Sequence, residues 1–274
     1  MSNRKIATSV GGLTSATANP PPTRPTPASR WQTVAGPIHA QRRLARTAGV
    51  YYLVVAVLGG WAHGYVRAQT YVQGDAAATA ENVLNNASLV RLGFVADLVQ
   101  AVLMLFVVMA LYRLLQHVNT NVARMMVMFV AVSVAITCLN LVFQFGSVLV
   151  AEDPGYAAAF GAQGSDGLVL LLLDLQHFGY LIAQIFFGLW LFPLGLLAYR
   201  SGMFPRVIGV LLMAGTVAYL TDAFLQFLAP GVADAISATA LIPVVIVAEV
   251  SMLAYLLVKG VRPAPSPAGS LTAN

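Results

Sequence analysis

Four carboxylic acids lie inside hydrophobic runs of this sequence, where a charged side chain is costly. They are Asp97, Asp174, Asp222 and Glu249. An aspartate at the centre of a membrane helix costs about 2.5–3.5 kcal/mol on insertion scales. Four unpaired carboxylates would cost on the order of 10 kcal/mol, which is comparable to the stability of a whole domain. We therefore expect these acids to be paired, protonated, hydrated or bound to a ligand.

The spacing of the polar residues indicates that each helix directs its polar groups to one side. Residues three or four positions apart share a helix face. Five segments follow this spacing: Tyr52, Ala56, Gly59 and His63; Asp97 and Gln100; Ser133, Thr137, Asn140, Gln144 and Ser147; Asp174, His177 and Gln184; and Gly215, Tyr219, Asp222 and Gln226. A rise of 1.5 Å per residue places three of the acids about 8–10 Å below the same membrane surface. We predict one polar pocket that opens to the outside, with Glu249 deeper.

A carboxylate and an imidazole share a helix face at Asp174 and His177, a combination that suits proton transfer or ligand binding. The candidates for a ligand or proton site are His63, Asp97, Asn140, Gln144, Asp174, His177, Asp222, Gln226 and Glu249. Two structural alternatives stay open. The neutral polar residues can simply join helices by hydrogen bonds, and Asp97 can pair with Arg91. Glu249 is either a protonated structural hydrogen bonder or a proton relay toward the cytoplasm.

The Asp-x-x-His spacing of Asp174 and His177 is also found in helical metal-binding bundles, and His63 would add a second nitrogen ligand. No HExxH motif and no second Asp-x-x-His accompanies it. The sequence also has no glycine-rich phosphate loop and no nucleophile elbow. Its single cysteine, Cys138, excludes an intramolecular disulfide. We predict no cofactor, with a divalent metal as the alternative.

The composition indicates that these residues belong to a membrane protein. The chain of 274 residues is 58% hydrophobic and 9% charged, with a mean hydropathy of +0.77. A soluble domain carries about 25% charged residues, so this chain could not cover itself with a hydrated surface. Cytoplasmic kinases, dehydrogenases and nucleic-acid processors are excluded. The net charge of +5 indicates contact with anionic lipid of the bilayer and no nucleic-acid partner.

Six segments are long and apolar enough to cross a bilayer, which takes about 20 residues. They cover approximately residues 44–66, 92–115, 122–150, 168–199, 206–229 and 236–258. We predict an all-α, polytopic membrane protein with a bundle of six transmembrane helices over 41–260. Pro193 predicts a kink in the fourth helix. The Pro-rich segments 1–40 and 261–274 are predicted to be disordered cytoplasmic tails.

The basic residues predict the orientation. All of them except Arg67 and Arg91 fall on one side of the six helices, so we expect both termini in the cytoplasm. An amphipathic helix over 75–90, capped by Asp75, would then lie outside as a cover or a mobile gate. A GxxxG motif at 60–64 predicts close helix packing, either within the monomer or in a dimer.

Several motifs are similar to those of one known family. They are Ala-Gly-Val-Tyr-Tyr-Leu at 48–53, Arg-Leu-Gly-Phe-Val-Ala-Asp at 91–97, Leu-Asp-Leu-Gln-His-Phe-Gly-Tyr at 173–180, Arg-Ser-Gly-Met-Phe-Pro at 200–205 and Leu-Leu-Val-Lys-Gly at 256–260. Over about residues 42–261 the sequence resembles the bacterial integral-membrane family called domain of unknown function 4386. The resemblance implies a multi-pass protein of a bacterial cytoplasmic (plasma) membrane, and no particular activity.

Three functional hypotheses follow. The leading one is an outward-facing acidic pocket that binds or moves a small cationic or protonatable solute. Asp97, Asp174 and Asp222 would supply negative charge, His177 a titratable partner and Glu249 a lower relay. The second is a membrane-embedded hydrolase in which a metal activates water. The third is a non-catalytic membrane component or sensor.

Overall fold

The protein is an all-helical bundle in a computed structural model that describes residues 38–262. No strand occurs in this part of the chain. Six helical segments are long and apolar enough to cross a membrane, which confirms the predicted fold class. We call them spans 1 to 6: Ile38–Thr70, Ala87–Leu115, Thr120–Glu152, Ala162–Ser201, Arg206–Leu228 and Pro230–Val258.

Three of the spans are not continuous α-helices. Span 1 consists of Ile38–Gly59, a π-helical segment Gly60–Val66, and Arg67–Thr70. Span 6 consists of Pro230–Ile236, a π-helical segment Ser237–Leu241, and Ile242–Val258. Span 4 is divided into Ala162–Leu189 and Leu191–Ser201. Its division lies close to Pro193, because proline has no N–H to donate to the preceding turn.

Two short helices join the spans. The first, Ala76–Asn85, begins where the Asp75 carboxylate accepts a hydrogen bond from the backbone N–H of Ala78, at 3.0 Å. It is shorter than the amphipathic helix predicted over 75–90, because a new helix starts at Ala87 and continues as span 2. The second short helix is Pro154–Phe160.

The spans pack in chain order, and span 6 closes on span 1. Near the ends of the described chain, Arg42 Nε donates to the carbonyl of Val261 at 3.3 Å. Both ends therefore lie at one end of the bundle, which we call the terminal end. The opposite end, which carries the two short helices, is the loop end. The predicted tails fall mostly outside the described residues, although 38–40 already belong to span 1.

The interior is packed most densely at the terminal end. Trp190, Met126 and Leu111 are fully buried in its hydrophobic core, and a smaller core around Val83 and Val169 lies at the loop end. Large apolar side chains also cover the outside of the bundle. Leu228 is 82% exposed and Leu139 is 74% exposed, which a membrane protein tolerates because lipid surrounds these positions.

Candidate functional site

A cavity of about 450 Å³ lies in the middle of the bundle, between spans 1, 2, 3, 4 and 6. We call it the main cavity. Most of its wall is apolar, and its polar groups come from Tyr52, His63, Gln100, Ser133, Thr137, Tyr180, Gln184 and Glu249. Among the residues of the described chain that line it, Glu249 is the one carboxylic acid, and neither Arg nor Lys is present. The cavity thus combines a single potential negative charge with an apolar wall.

Two tyrosines hold Glu249 in place. Tyr52 of span 1 donates its hydroxyl to Glu249 Oε2 at 2.6 Å, and Tyr219 of span 5 donates to Oε1 at 2.8 Å. The ring of Tyr52 in turn packs edge-on against Trp190, with ring centroids 6.0 Å apart. Both carboxylate oxygens accept hydrogen bonds, which is the arrangement that an acceptor-only group takes. Glu249 therefore ties three spans together and also borders open space.

At the other end of the main cavity lies a second polar group. Gln100 Nε2 donates to Asp97 Oδ1 at 2.7 Å, and His63 Nε2 is 3.4 Å from the same oxygen. Gly59 allows this close approach of spans 1 and 2, because a Cβ there would overlap the Gln100 side-chain oxygen. Asp97 is only 2% exposed. The predicted residues His63 and Asp97 do come together, with Gln100 as their hydrogen-bonding neighbour.

The alternative pairing of Asp97 with Arg91 is not what the structure shows. Arg91 instead binds Glu152 through both of its terminal nitrogens, at 2.8 and 2.5 Å. The pair is partly exposed at the loop end. The partners of Asp97 in the described chain are therefore a histidine and an amide rather than an arginine.

A much smaller cavity, of about 30 Å³, lies on the loop-end side of His63. We call it the small cavity. It is lined by His63 and Asp97 and by five further polar residues: Arg67, Thr70, Tyr71, Gln144 and Gln176. A buried water needs roughly 10–15 Å³ of such space, so the small cavity holds little more than water.

Sequence reasoning missed a chain of contacts beside the small cavity. Arg67 donates to Gln176 Oε1 at 3.0 Å, and its guanidinium lies 4.2 Å from the centre of the Tyr71 ring. Tyr71 in turn donates to Asp174 Oδ1 at 2.6 Å. Burial, followed by this hydrogen bond, raises the pKa of Tyr71 to about 12. The placement of Arg67 as one of two basic residues at the loop end was the signal available in the sequence.

The structure does not join Asp174 to His177. Within the described chain no ion pair links them; the ring of His177 packs on Phe178, with centroids 5.5 Å apart. Neither residue lines the main cavity or the small cavity. Three residues along a helix leave a rotation of about 60° between side chains. Asp174 therefore turns toward span 1, and its partner is Tyr71.

The candidate metal ligands are not gathered. No group of three or more His, Cys, Asp or Glu side chains that could hold a metal occurs between residues 38 and 262. His63 lies beside Asp97, whereas Asp174 has its hydrogen bond with Tyr71 and His177 packs on an aromatic ring. The geometry gives no support to the proposed hydrolase site.

The polar residues of span 3 mainly connect helices. Asn140 Nδ2 donates to the backbone carbonyl of Gln176 at 2.6 Å, and Ser133 Oγ donates to the carbonyl of Ala183 at 2.9 Å. Gly179 makes room for Asn140, because a Cβ there would overlap its side chain. Gln144 makes a long contact of 3.5 Å with the carbonyl of Val90. Asn140 and Gln144 therefore follow the alternative in which neutral polar residues join helices by hydrogen bonds. Ser133 makes such a bond and also borders the main cavity.

Asp222 is enclosed by its partners. It is buried, accepts a hydrogen bond from Ser237, and accepts a second from Gln184 Nε2 at 3.3 Å. It lines neither cavity, and neither does the half-buried Gln226. Asp222 therefore fastens the π-helical segment of span 6 to span 5.

The five polar stripes do not meet in one pocket, and that part of the prediction is wrong. His63 separates the main cavity from the small cavity, and Asp174, His177 and Asp222 lie outside both. Glu249, which the sequence set apart as the exception, is the acid that faces the main cavity. Asp97 and Asn140 of these stripes are buried, whereas Asp174 and His177 are only half-buried.

Comparisons with known proteins give a family and one relative. The family model described as Domain of unknown function (DUF4386) matches residues 47–260. An uncharacterized protein of Archaeoglobus fulgidus is 30% identical over 123 residues, which are 44% of this chain and 59% of that protein. The chain thus spans 59% of the length of the relative that it matches. No solved structure matches the chain.

Proposed function

The chain belongs to the DUF4386 family, and from this premise we propose that it is a multi-pass membrane protein whose main cavity binds a small amphipathic cation. The apolar body of the ligand fills the cavity, and its protonated nitrogen binds Glu249. In keeping with the basic residues and the family resemblance, we place the protein in a bacterial cytoplasmic membrane with the loop end outside.

The observation that carries this proposal is the isolation of Glu249. Its carboxylate borders a cavity of about 450 Å³ whose lining residues, within the described chain, include no Arg or Lys. A buried charge in a membrane is costly unless a partner or water compensates it. Two tyrosine hydroxyls supply neutral hydrogen bonds, but no positive charge. A protonated amine would supply the missing charge.

The size and lining of the main cavity favour a ligand with an apolar body. Ligand pockets typically measure about 300–1,000 Å³ and combine an apolar wall with a few polar groups. Here the wall includes Val55, Met104, Phe187 and Ile246, and a few polar groups line the same space. Tyr180, whose ring contacts that of His63 with centroids 4.3 Å apart and planes tilted by 42°, also borders the space. Its ring offers a face to which cations are attracted.

The proposal is tested with two matched probes on purified protein in lipid nanodiscs. Dansylcadaverine carries a dansyl group, a five-carbon chain and a primary amine, and N-pentyl dansylamide lacks only the amine. Energy transfer from the three tryptophans of the chain, of which Trp190 packs beside Tyr52, reports binding. We expect the amine to bind tighter by about tenfold or more, because hydrogen bonds to charged groups contribute about 1.5–3 kcal/mol. Equal affinities in the wild-type protein would refute the proposal without any mutation.

Two variants assign the preference to one acid. Glu249→Gln keeps the size of the side chain and a hydrogen-bonding group for the tyrosines, and should remove the preference for the amine. Asp222→Asn is the matched control, because Asp222 is also buried but lies outside the main cavity. It should retain the preference. If the preference for the amine survived Glu249→Gln, the cation would have to bind at a residue other than Glu249.

A further inference from the structure

We propose that the main cavity opens sideways between spans 1 and 6, so that its ligand arrives from the lipid phase. This inference deepens the proposed function and rests on it, because it concerns how the same cavity is reached. It narrows the ligand to a lipid-soluble amphiphile with a protonatable nitrogen, as opposed to a small hydrophilic cation.

The first argument is the exposure of the residues along this gap. Ile242 and Ile246 of span 6 line the main cavity and are also 44% and 53% exposed. On the facing side, Ala56 and Gly60 of span 1 line the cavity and are exposed as well. Four accessible residues of the cavity wall thus face one another across the gap between spans 1 and 6. We take this row of residues as the place where the cavity meets the outer face of the bundle.

The second argument is how spans 1 and 6 pack. At the terminal end they are in close contact, since a Cβ at Gly49 would lie 3.1 Å from both Leu256 Cβ and the backbone nitrogen of Leu257. The contact continues to the hydrogen bond between Tyr52 and Glu249. Beyond that level the segment Gly60–Val66 packs chiefly on span 2. A Cβ at Gly60 would meet no atom within 4 Å.

The third argument is that both sides of the gap depart from α-helical geometry. Span 1 is π-helical over Gly60–Val66, and span 6 is π-helical over Ser237–Leu241, directly before Ile242. Such segments are rare and occur frequently at functional sites. The segment in span 6 is fastened to span 5 by the hydrogen bond between Ser237 and Asp222. The separation is thus a property of the backbone and not of one side-chain rotamer.

The fourth argument concerns the alternative routes. Toward the loop end, the group of His63, Asp97 and Gln100 bounds the main cavity, and the next space measures only about 30 Å³. Toward the terminal end lies the densely packed core around Trp190. A solute large enough to fill about 450 Å³ passes through neither. Spans 1 and 2, 2 and 3, and 3 and 4 pack more extensively on each other than spans 1 and 6 do, and span 5 covers the side between spans 4 and 6. The side between spans 1 and 6 is therefore the route that we propose.

The lateral opening is tested by partly filling it. Gly60→Leu places a side chain in the gap, and Gly64→Leu is the control from the same π-helical segment. Gly64 is exposed, its Cβ would also meet no atom within 4 Å, and it does not line the main cavity. Stopped-flow energy transfer then measures association and dissociation of dansylcadaverine in lipid nanodiscs.

We expect Gly60→Leu to slow both association and dissociation of dansylcadaverine, with association slower by about tenfold; Gly64→Leu should behave as wild type. Rates unchanged by Gly60→Leu would overturn the lateral opening, and so would weaker binding with unchanged association. Ile246→Phe, on the facing side of the gap, should likewise slow association by about tenfold and serves as the second variant if Gly60→Leu fails to fold. Failure of the proposed function gives a different result, because wild-type protein would then not prefer the amine.

Discussion

The terminal end of the bundle and its middle are built from the same kinds of residues but are packed in opposite ways. At the terminal end, spans 4 and 5 approach so closely that a Cβ at Gly195 would lie 2.6 Å from the carbonyl oxygen of Gly209. In the middle, Gly60 borders a cavity of about 450 Å³ and faces open space. Glycine is therefore a packing residue in one region and the edge of an opening in the other. A small-residue motif alone does not distinguish the two cases.

The largest expected effect on stability comes from placing a leucine at a packing glycine instead of at the edge of the opening. Gly195→Leu should destabilise the protein by about 3 kcal/mol or more, because neither the backbone of span 5 nor the surrounding core can move aside. Gly60→Leu and Gly64→Leu should keep the wild-type melting temperature. Thermal unfolding of the detergent-solubilised protein measures all three variants. A tolerated Gly195→Leu would contradict the close crossing of spans 4 and 5.

A smaller loss of stability is expected at Asp222, which, like Glu249, accepts hydrogen bonds from two side chains. Asp222→Ala removes the acceptor for Ser237 and Gln184, and leaving such donors unsatisfied costs about 1–3 kcal/mol. The melting temperature should fall, whereas the preference for dansylcadaverine over N-pentyl dansylamide should remain. If that preference vanished in folded protein, Asp222 would have to belong to the binding site.

Sequence reasoning found the fold because it depends on quantities that are local in the chain. Lengths and hydropathy identified six spans, and the spacing of polar residues identified their buried faces in part: Asp97 and Asn140 are buried, whereas Asp174 and His177 are half-buried. Which faces meet depends on the rotation of each helix, and the segments Gly60–Val66 and Ser237–Leu241 change that rotation. No pattern in the sequence predicted these π-helical segments. Because the rotation of each helix could not be predicted, the sequence also did not identify Glu249, which has no polar stripe of its own, as the acid that faces the main cavity.

Long-range contacts explain the other differences. Tyr71 lies 103 residues from Asp174 in sequence and nevertheless donates to its carboxylate, so the expected partner, His177, is left without it. The GxxxG motif at 60–64 predicts close helix packing, either within the monomer or in a dimer. A Cβ at either glycine would meet nothing within 4 Å, so the packing within the monomer is wrong and the dimer stays a prediction.

The smallest expected effect tests the loop end of the bundle through Tyr71. Because burial and the bond to Asp174 raise its pKa to about 12, the neutral phenol is favoured in the folded protein. This contribution to stability is fully present below the ordinary tyrosine pKa of about 10 and is lost as the pH rises toward 12. The melting temperatures of wild type and Tyr71→Phe should therefore differ at pH 8 and converge above pH 10. A constant difference across this range would contradict the hydrogen bond.

The central claim, a cation bound at Glu249 inside the main cavity, is tested most directly by an experimental structure with a bromine-labelled analogue of dansylcadaverine. The account predicts anomalous density for bromine within the main cavity and the amine nitrogen about 2.7–2.9 Å from a Glu249 oxygen, the length of a charge-assisted hydrogen bond. Density confined to the outer surface, or an amine bound at Asp97 while Glu249 contacts only Tyr52 and Tyr219, would contradict it.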